Sequence, residues 1–458
     1  MKTMLPINQV LLGDCRDHMK AFPEGEVDLV ATSPPYWSLR DYDIEPSIWG
    51  GDPNCDHEFE VIQSTDEHYT GKTRWQHGVN GRGEEAILRR DHPEHWTQDV
   101  REYSWCKKCG AWKGCLGLEP HPGLYIEHLL EVMRDVRRIL KTTGSLWINL
   151  GDSYCSKPGN TDAYYDFSAL TGTKHKGNQG RASYNGPQTN WLQPKQLLGI
   201  PWRLAIAMQD EGWILRNAPI WHKPNHMPES TEDRFTKSYE NLFFFVKDTE
   251  TKLWRNKLTR KWADKKPKKQ YYHVETKELV DEIPKGERKV YRNLWGGFDY
   301  YFDLDAIREP YSQDTHAYGK NGSFEATVEN LKGADAWDST AEERMRFGKG
   351  FKYRYRVPKG KNPGDVWSIP TQPFPGSHFA VFPLGLAERM VKACCPERGV
   401  VYDPFAGSGT TLRAARKFGR SFIGSDISEK YVAMARKRVQ SDTWRKDPES
   451  VKSLKEFY

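Results

Sequence analysis

Long apolar runs are missing from this 458-residue chain. No stretch reaches the roughly 18–20 residues that a membrane-crossing helix requires, and Met1-Lys2-Thr3 leads toward Gln9 and Asp14 rather than into a secretory apolar segment. Neither membrane insertion nor export is expected, so the reading is cytoplasmic. Cysteine is also sparse: eight in a chain of this length do not make a disulfide scaffold. Internal repeats and a recognisable nuclease motif are absent, and a formal net charge of +6 is too mild to argue from as a total. What is present is a 37% apolar fraction with 13% aromatics, enough to bury a sizeable core at a length that suits two to four domains.

Near the carboxyl end, Val400-Val401-Tyr402 reads as a short strand and Asp403-Pro404-Phe405-Ala406-Gly407-Ser408-Gly409 as a turn with close backbone approach. Thr411 to Arg416 then reads as helix, Ser421 to Gly424 as a second strand ending at Asp426, and Glu429 to Val439 as another helix. A glycine turn followed about 20 residues later by an acid is the nucleotide-binding half of a doubly wound α/β unit, the acid accepting ribose hydroxyls. Leu412 stands where a third glycine would fall, so the dinucleotide fingerprint is not met. A loop opening on Asp403 suits a cationic sulfonium better than a pyrophosphate. Taken alone, the loop is equally well an ordinary glycine turn.

A second segment answers it from far upstream. Ser33-Pro34-Pro35-Tyr36 follows the apolar run Val27 to Thr32, and in open α/β sheets ligands sit outside the carboxyl ends of strands. Two prolines stiffen the segment and remove two N–H donors, leaving carbonyls and the Ser33 hydroxyl to accept from an exocyclic amine, while Tyr36 can stack on a base. Ser33, Pro34, Pro35 and Tyr36 are the candidate catalytic residues. A base inside a duplex cannot reach such a pocket without being flipped out. The bland alternative for a lone Pro-Pro-Tyr is a plain turn.

Together these segments resemble the N4-cytosine/N6-adenine amino DNA methyltransferases, in the permuted order that places the catalytic motif before the donor-binding motif. The resemblance extends to Leu12-Gly13-Asp14-Cys15, the Gly144 to Asp152 stretch, Ile220-Trp221-His222-Lys223-Pro224-Asn225, and Gly376 to Pro383. It implies a Rossmann-like class I fold, α/β with a doubly wound mixed sheet, and S-adenosyl-L-methionine as methyl donor. Carried onto this chain, the donor-binding candidates are Asp14, His378, Phe379, Phe382, Asp403, Phe405, Gly407, Gly409, Thr410 and Asp426. Within the family, serine at position 33 leans toward cytosine N4, and Asp or Asn there toward adenine N6. The chemistry expected is in-line transfer to a neutral amine whose lone pair must be localised by Ser33 Oγ and the Pro34 carbonyl. No cysteine nucleophile is needed, and no Pro-Cys motif accompanies the donor loop. Alternatives are an adenine-N6 enzyme, an RNA-base or protein-glutamine methyltransferase, and an inactive DNA-binding protein. The family implies a bacterial, archaeal or phage source, double-stranded DNA as partner, and a homodimer and a cognate restriction endonuclease as further partners to consider.

The uneven charge distribution fits a DNA partner. Nine Lys/Arg and one acid, Asp264, lie between Lys252 and Lys269, interleaved with Trp254 and Trp262, and eight Lys/Arg with no acid lie between Arg344 and Lys361. Such runs supply phosphate contacts and stacking surfaces, although a solvated charged face has the same composition. Lys252, Arg255, Arg260, Lys261, Lys352, Arg354 and Arg356 are the DNA-binding candidates, and Phe351 to Arg356 alternates like an edge strand.

Cys106-Lys107-Lys108-Cys109-Gly110 and Cys55-Asp56-His57 form two close pairs of N/S ligands suited to a structural zinc ion at Cys55, His57, Cys106 and Cys109. Cys115, His92, His95 or His121 could replace His57, and two unrelated reduced pairs are the plain alternative. Some relatives of this pattern have a similar Cys/His insert. The organisation expected is a catalytic part over 1–50, a zinc-bearing insert over 51–117, and a methyltransferase continuation over 118–246 with a Gly/Ser/Asn-rich loop at 156–190. A target-recognition region over 247–361, a donor-binding part over 362–442 and a tail over 443–458 follow. A helix with a buried stripe is expected from Leu124 to Leu140.

Overall fold

The computed structural model describes residues 4–38, 44–69, 96–155, 195–250, 252–310, 361–371 and 383–441. These fall into two compact units. The first gathers 1–34, 133–150 and 208–458, the second 35–132 and 151–207. Among the described residues, no helix is long and apolar enough to cross a membrane.

The first unit is built on a nine-stranded sheet. Its strands are β1 (Gln9–Leu12), β2 (Val27–Thr32), β3 (Leu140–Leu150), β4 (Ile214–Asn217), β5 (Ile220–His222), β6 (Tyr239–Val246), β7 (Val366–Ser368), β8 (Val400–Asp403) and β9 (Ser421–Asp426). They lie in the order β1-β9-β8-β2-β3-β6-β5-β7, with β4 also on β6. From β1 through β3 every pairing is parallel, and β6 enters antiparallel between β3 and β5. The order reverses between β8 and β2: β8 is followed on one side by β9, and β2 on the other by β3. That reversal is the place where an open α/β sheet leaves a crevice at its carboxyl edge.

The sequence explains why β2 is central. All six of its residues are buried, as a strand covered on both faces requires. Its one charge, Asp28, is paired: Lys141 Nζ reaches it at 2.8 Å and the Val400 amide donates to it at 2.8 Å. Buried charge survives only with such partners.

Helices α1 (Cys15–Ala21), α2 (Pro122–Ile139), α3 (Ile200–Asp210), α4 (Leu384–Cys394), α5 (Thr410–Lys417) and α6 (Glu429–Gln440) complete the main elements. In α2 the expected stripe from Leu124 to Ile139 is buried. Gly409, the N-cap of α5, has a left-handed φ of +78°, and a Cβ there would lie 2.9 Å from Ala435 Cβ of α6. Leu412, the residue that breaks the three-glycine fingerprint, is fully buried against β9, where Gly424 makes the room: a Cβ on Gly424 would lie 2.5 Å from Leu412 Cδ1.

Two three-stranded sheets, over 253–298 and 271–293, follow β6 within the first unit. The second unit has an antiparallel four-stranded sheet in the order Ser47–Trp49, Trp112–Gly114, Trp96–Cys106, Phe59–Tyr69. Asp152, the acid ending the Gly144 stretch, accepts the Gly199 and Ile200 amides at 3.0 and 3.1 Å and so caps α3.

Candidate active site and metal cluster

The carboxyl ends of β8 and β2 bring both sequence signatures to the reversal point. Thr32, the last residue of β2, donates its hydroxyl to Asp403 Oδ1 at 2.6 Å, and the Phe405 amide donates to the same oxygen at 3.1 Å. Asp403 is 1% exposed. Burial pushes its carboxyl up to about 6, even though the Thr32 hydroxyl and the Phe405 amide favour the charged form. Ser33 and buried Pro34 follow directly from Thr32.

One strand further out, Asp426 ends β9. It accepts the Gly407 amide on Oδ2 at 2.8 Å and the Ser428 amide on Oδ1 at 2.9 Å. Burial raises its pKa as well. Two carboxylate oxygens offer about four acceptor positions, so Asp426 both closes the glycine loop and keeps capacity for hydroxyl groups. At the end of β1 the Gly13 amide donates to the Asp426 carbonyl at 2.9 Å. Asp14 then caps α1 through the Arg16 amide at 2.9 Å and pairs with the Arg16 guanidinium at 2.7 Å. Asp14, the 403–409 loop, Asp426 and Ser33 thus share one edge of one sheet.

Gly407 and Gly409 both have positive φ, +50° and +78°. Phe405 is half-buried, and Thr410 is buried with its hydroxyl 3.4 Å from Arg438 Nη1. Arg438 also donates to the Ser408 carbonyl at 2.7 Å and to the Ser408 hydroxyl. Burial lowers its pKa to about 10. Thr410 therefore faces the support of the loop. His378, Phe379 and Phe382 lie outside the described residues.

The second half of the Ser-Pro-Pro-Tyr segment belongs to the second unit. There the Tyr36 ring lies on the backbone of Gly151, where a Cβ would sit 2.5 Å from Tyr36 Cε2. Gly117, at φ +95°, lies under the Tyr36 carbonyl, 3.1 Å from the position of an added Cβ. Neither glycine was recognisable as a site residue from local pattern, although Gly151 falls in the Gly144 to Asp152 stretch.

Also in the second unit, Cys55, His57, Cys106 and Cys109 place their ligand atoms within 4.8 Å of one another. Cys55 Sγ and Cys106 Sγ are 3.9 Å apart, and Cys109 Sγ and His57 Nδ1 3.3 Å. Zinc–sulfur bonds of about 2.3 Å in a tetrahedron put two sulfurs about 3.8 Å apart, so donor set and spacing fit that ion. At Cys106, burial raises the thiol, but hydrogen bonds from the Cys109 backbone, the His57 side chain and the Lys108 and Glu58 backbones bring it down to about 6. Burial, then its sulfur neighbours Cys109 and Cys106, push Cys55 up to about 12. Among the other candidates for the fourth ligand, Cys115 donates to the Ile44 carbonyl and His121 Nδ1 accepts the Gly123 amide. His92 and His95 lie outside the described residues.

The cationic candidates separate. Arg255 is buried, with its guanidinium 2.7 Å from Asp303, 3.4 Å from Asp305, and 5.1 Å from the centre of the Trp262 ring. Lys252 pairs with Asp248 at 2.6 Å and Glu250 at 3.5 Å, and Arg260 approaches Asp305 at 3.7 Å. Trp262, a stacking surface by sequence pattern, packs against Phe298 and Tyr301. Arg255 and Arg260 find their acids 45 to 50 positions downstream, whereas the acids paired with Lys252 lie within four positions of it. Lys261 is exposed. Lys352, Arg354 and Arg356 lie outside the described residues.

The glycine loop and the Ser33-Pro34 segment at the reversal of a largely parallel sheet fit a methyltransferase of Rossmann-like α/β architecture. Residues 27–437 match the family described as DNA methylase, the N6/N4 group. The chain belongs to that family and is an S-adenosylmethionine-dependent DNA methyltransferase. It is similar to the Type II methyltransferase M.SfiI of Streptomyces fimbriatus, 29% identical over 460 residues, covering 92% of this chain and 88% of that one. It is likewise similar to the Type II methyltransferase M.SmaI of Serratia marcescens, 29% identical over 432 residues, covering 94% and 90%. Among solved structures, PvuII DNA methyltransferase (cytosine-N4-specific) aligns with a TM-score of 0.43 at 14% identity, covering 94% of this chain and 86% of that one.

Proposed function

We propose that this enzyme transfers a methyl group from S-adenosylmethionine to the exocyclic N4 amine of a cytosine flipped out of duplex DNA. The observation that supports this most is the 2.6 Å hydrogen bond from Thr32 to Asp403, which ties the start of the Ser33-Pro34 segment to the start of the glycine loop. Donor and acceptor loops held this closely suit a reaction that is mainly positioning. The donor would lie across the 403–409 loop, with Asp426 taking the ribose hydroxyls, Asp403 adding negative charge beneath the sulfonium, and Asp14 close to the adenine. Phe405, Gly407 and Gly409 would line that site, together with His378, Phe379 and Phe382.

The target amine would donate to Ser33 Oγ and to the Pro34 carbonyl, which receives no hydrogen bond among the described residues. Localising the nitrogen lone pair prepares it for in-line attack, and the sulfonium carbon–sulfur bond breaks as the carbon–nitrogen bond forms. The proton leaves afterwards to solvent or to the loop acceptors. Tyr36 would stack on the flipped base. Ser33 in place of Asp or Asn supports cytosine N4 over adenine N6, and N6 is the second reading.

Zinc held by Cys55, His57, Cys106 and Cys109 would brace the second unit without entering the reaction, since methyl transfer to an amine needs no metal-bound water. Lys261, with Lys352, Arg354 and Arg356, would contact phosphates in a recognition region over 247–361. Similarity to Type II methyltransferases supports a role in restriction–modification beside a cognate endonuclease. Ser33→Ala tests the assignment: it should reduce labelling of plasmid DNA by methyl-labelled donor at least tenfold while leaving donor binding intact. Undiminished labelling would remove Ser33 from the mechanism.

A further inference from the structure

Within the second unit, residues 35–38 are gripped by side chains and carbonyls to which the chemistry above gives no role. Tyr125, wholly buried in the first turn of α2, donates its hydroxyl to the Pro35 carbonyl at 2.6 Å. Trp37 Nε1 donates to the Glu119 carbonyl at 2.9 Å, and the Ser38 amide to the Gly117 carbonyl at 2.7 Å. The base of this grip is itself a buried polar network. Glu119 Oε2 accepts the Gly117 amide at 2.8 Å, and its Oε1 lies 3.0 Å from His128 Nδ1. The His128 ring stacks between Trp49 and Trp112, with ring centres 5.1 and 5.4 Å away. Buried hydrogen bonds of this kind hold one geometry, because breaking them leaves buried polar groups without partners.

The consequence follows from covalent structure. The Pro34 carbonyl lies in the peptide plane whose nitrogen belongs to Pro35, and the Pro35 ring locks φ. Holding the Pro35 ring and carbonyl therefore also holds the plane containing the Pro34 carbonyl. It also occupies the one proline acceptor that could compete for the amine. We propose that Tyr125 is a positioning residue of methyl transfer, whose hydroxyl occupies the Pro35 carbonyl and so presents the Pro34 carbonyl to the target amine. This rests on the reading of Ser33 to Tyr36 as the amine pocket.

Tyr125→Phe keeps the buried ring and removes only the hydroxyl. In single-turnover labelling of unmethylated plasmid by the full chain, normalised to the donor-binding fraction, its rate should fall about five- to tenfold, the factor one ordinary hydrogen bond supplies. Donor affinity, half-saturating DNA and thermal midpoint should stay close to wild type. Ser33→Ala in the same assay separates the two claims. A wild-type rate for Tyr125→Phe beside a deficient Ser33→Ala overturns the positioning role alone. Loss of donor binding and thermal stability in Tyr125→Phe, with a normal rate per competent molecule, assigns it a structural role instead. A wild-type rate for Ser33→Ala overturns the pocket reading and the inference with it.

Discussion

Lowering the pH from 7 to 5 should weaken donor binding about tenfold, and the cause should be Asp403. Its carboxyl, 1% exposed, is raised by burial to about 6. It is therefore about nine-tenths ionised at pH 7 and about one-tenth at pH 5. If the sulfonium is held by the ionised form, affinity falls by the same ratio, about 1.4 kcal/mol. The sign for the unliganded fold is opposite. The folded pKa lies above the ordinary 3.8, so the folded state binds this proton more tightly than the unfolded chain does. Asp403 therefore costs stability, about 3 kcal/mol, at pH above 6, and that cost is relieved as pH falls from about 6 toward 3.8. Between pH 7 and 5 donor affinity and this contribution to stability should move in opposite directions, which general acid unfolding does not produce. Titration calorimetry with S-adenosylmethionine at pH 5, 6 and 7 measures the first, and denaturant unfolding of the unliganded chain the second. Asp403→Asn should flatten both profiles, leaving only what Asp426 contributes. A wild-type affinity unchanged from pH 7 to 5, or an Asn variant with the full wild-type slope, would refute the reasoning.

Gly409→Ala forces a Cβ to within 2.9 Å of Ala435 Cβ at a φ of +78°, so it should cost about 1–3 kcal/mol in denaturant unfolding and lower donor affinity. Chelation should release one zinc per chain by elemental analysis and lower the thermal midpoint, and Cys106→Ser should reproduce the loss of metal. Arg255→Ala leaves Asp303 and Asp305 facing each other without their shared cation and should cost about 2–4 kcal/mol of stability, read by denaturant unfolding. Lys261→Ala should leave stability unchanged and lower DNA affinity, reducing the salt slope by about 1 in filter binding.

Local chemistry made the donor half legible: a β-type run, two glycines, a helix and an acid about 20 residues on correspond to β8, the loop, α5, β9 and Asp426. The same holds within each Cys/His pair, because ligands two or three positions apart predict their own proximity. What local pattern cannot supply is pairing at a distance. Thr32 and Asp403 meet across 371 positions, and nothing beside Thr32 announces it. Arg255 looked like a phosphate contact because its counterions Asp303 and Asp305 stand some 50 positions downstream, across a small sheet whose registry the sequence does not display. Gly151 stands out in the Gly144 to Asp152 stretch but not as the residue beneath Tyr36, since a glycine that makes room for a ring is defined by the ring. Thr410 adds a contact of the same kind: its place beside the glycine loop is plain from the sequence, but the 3.4 Å approach of Arg438 from the next helix to its hydroxyl is not.

The most direct measurement is nucleoside mass spectrometry of unmethylated plasmid after incubation with the full chain and methyl-labelled S-adenosylmethionine. Label in N4-methylcytosine, strongly reduced by Ser33→Ala, is the predicted result. Label in N6-methyladenine would contradict the base assignment while keeping the site, and an unlabelled plasmid despite donor binding would contradict the proposed substrate.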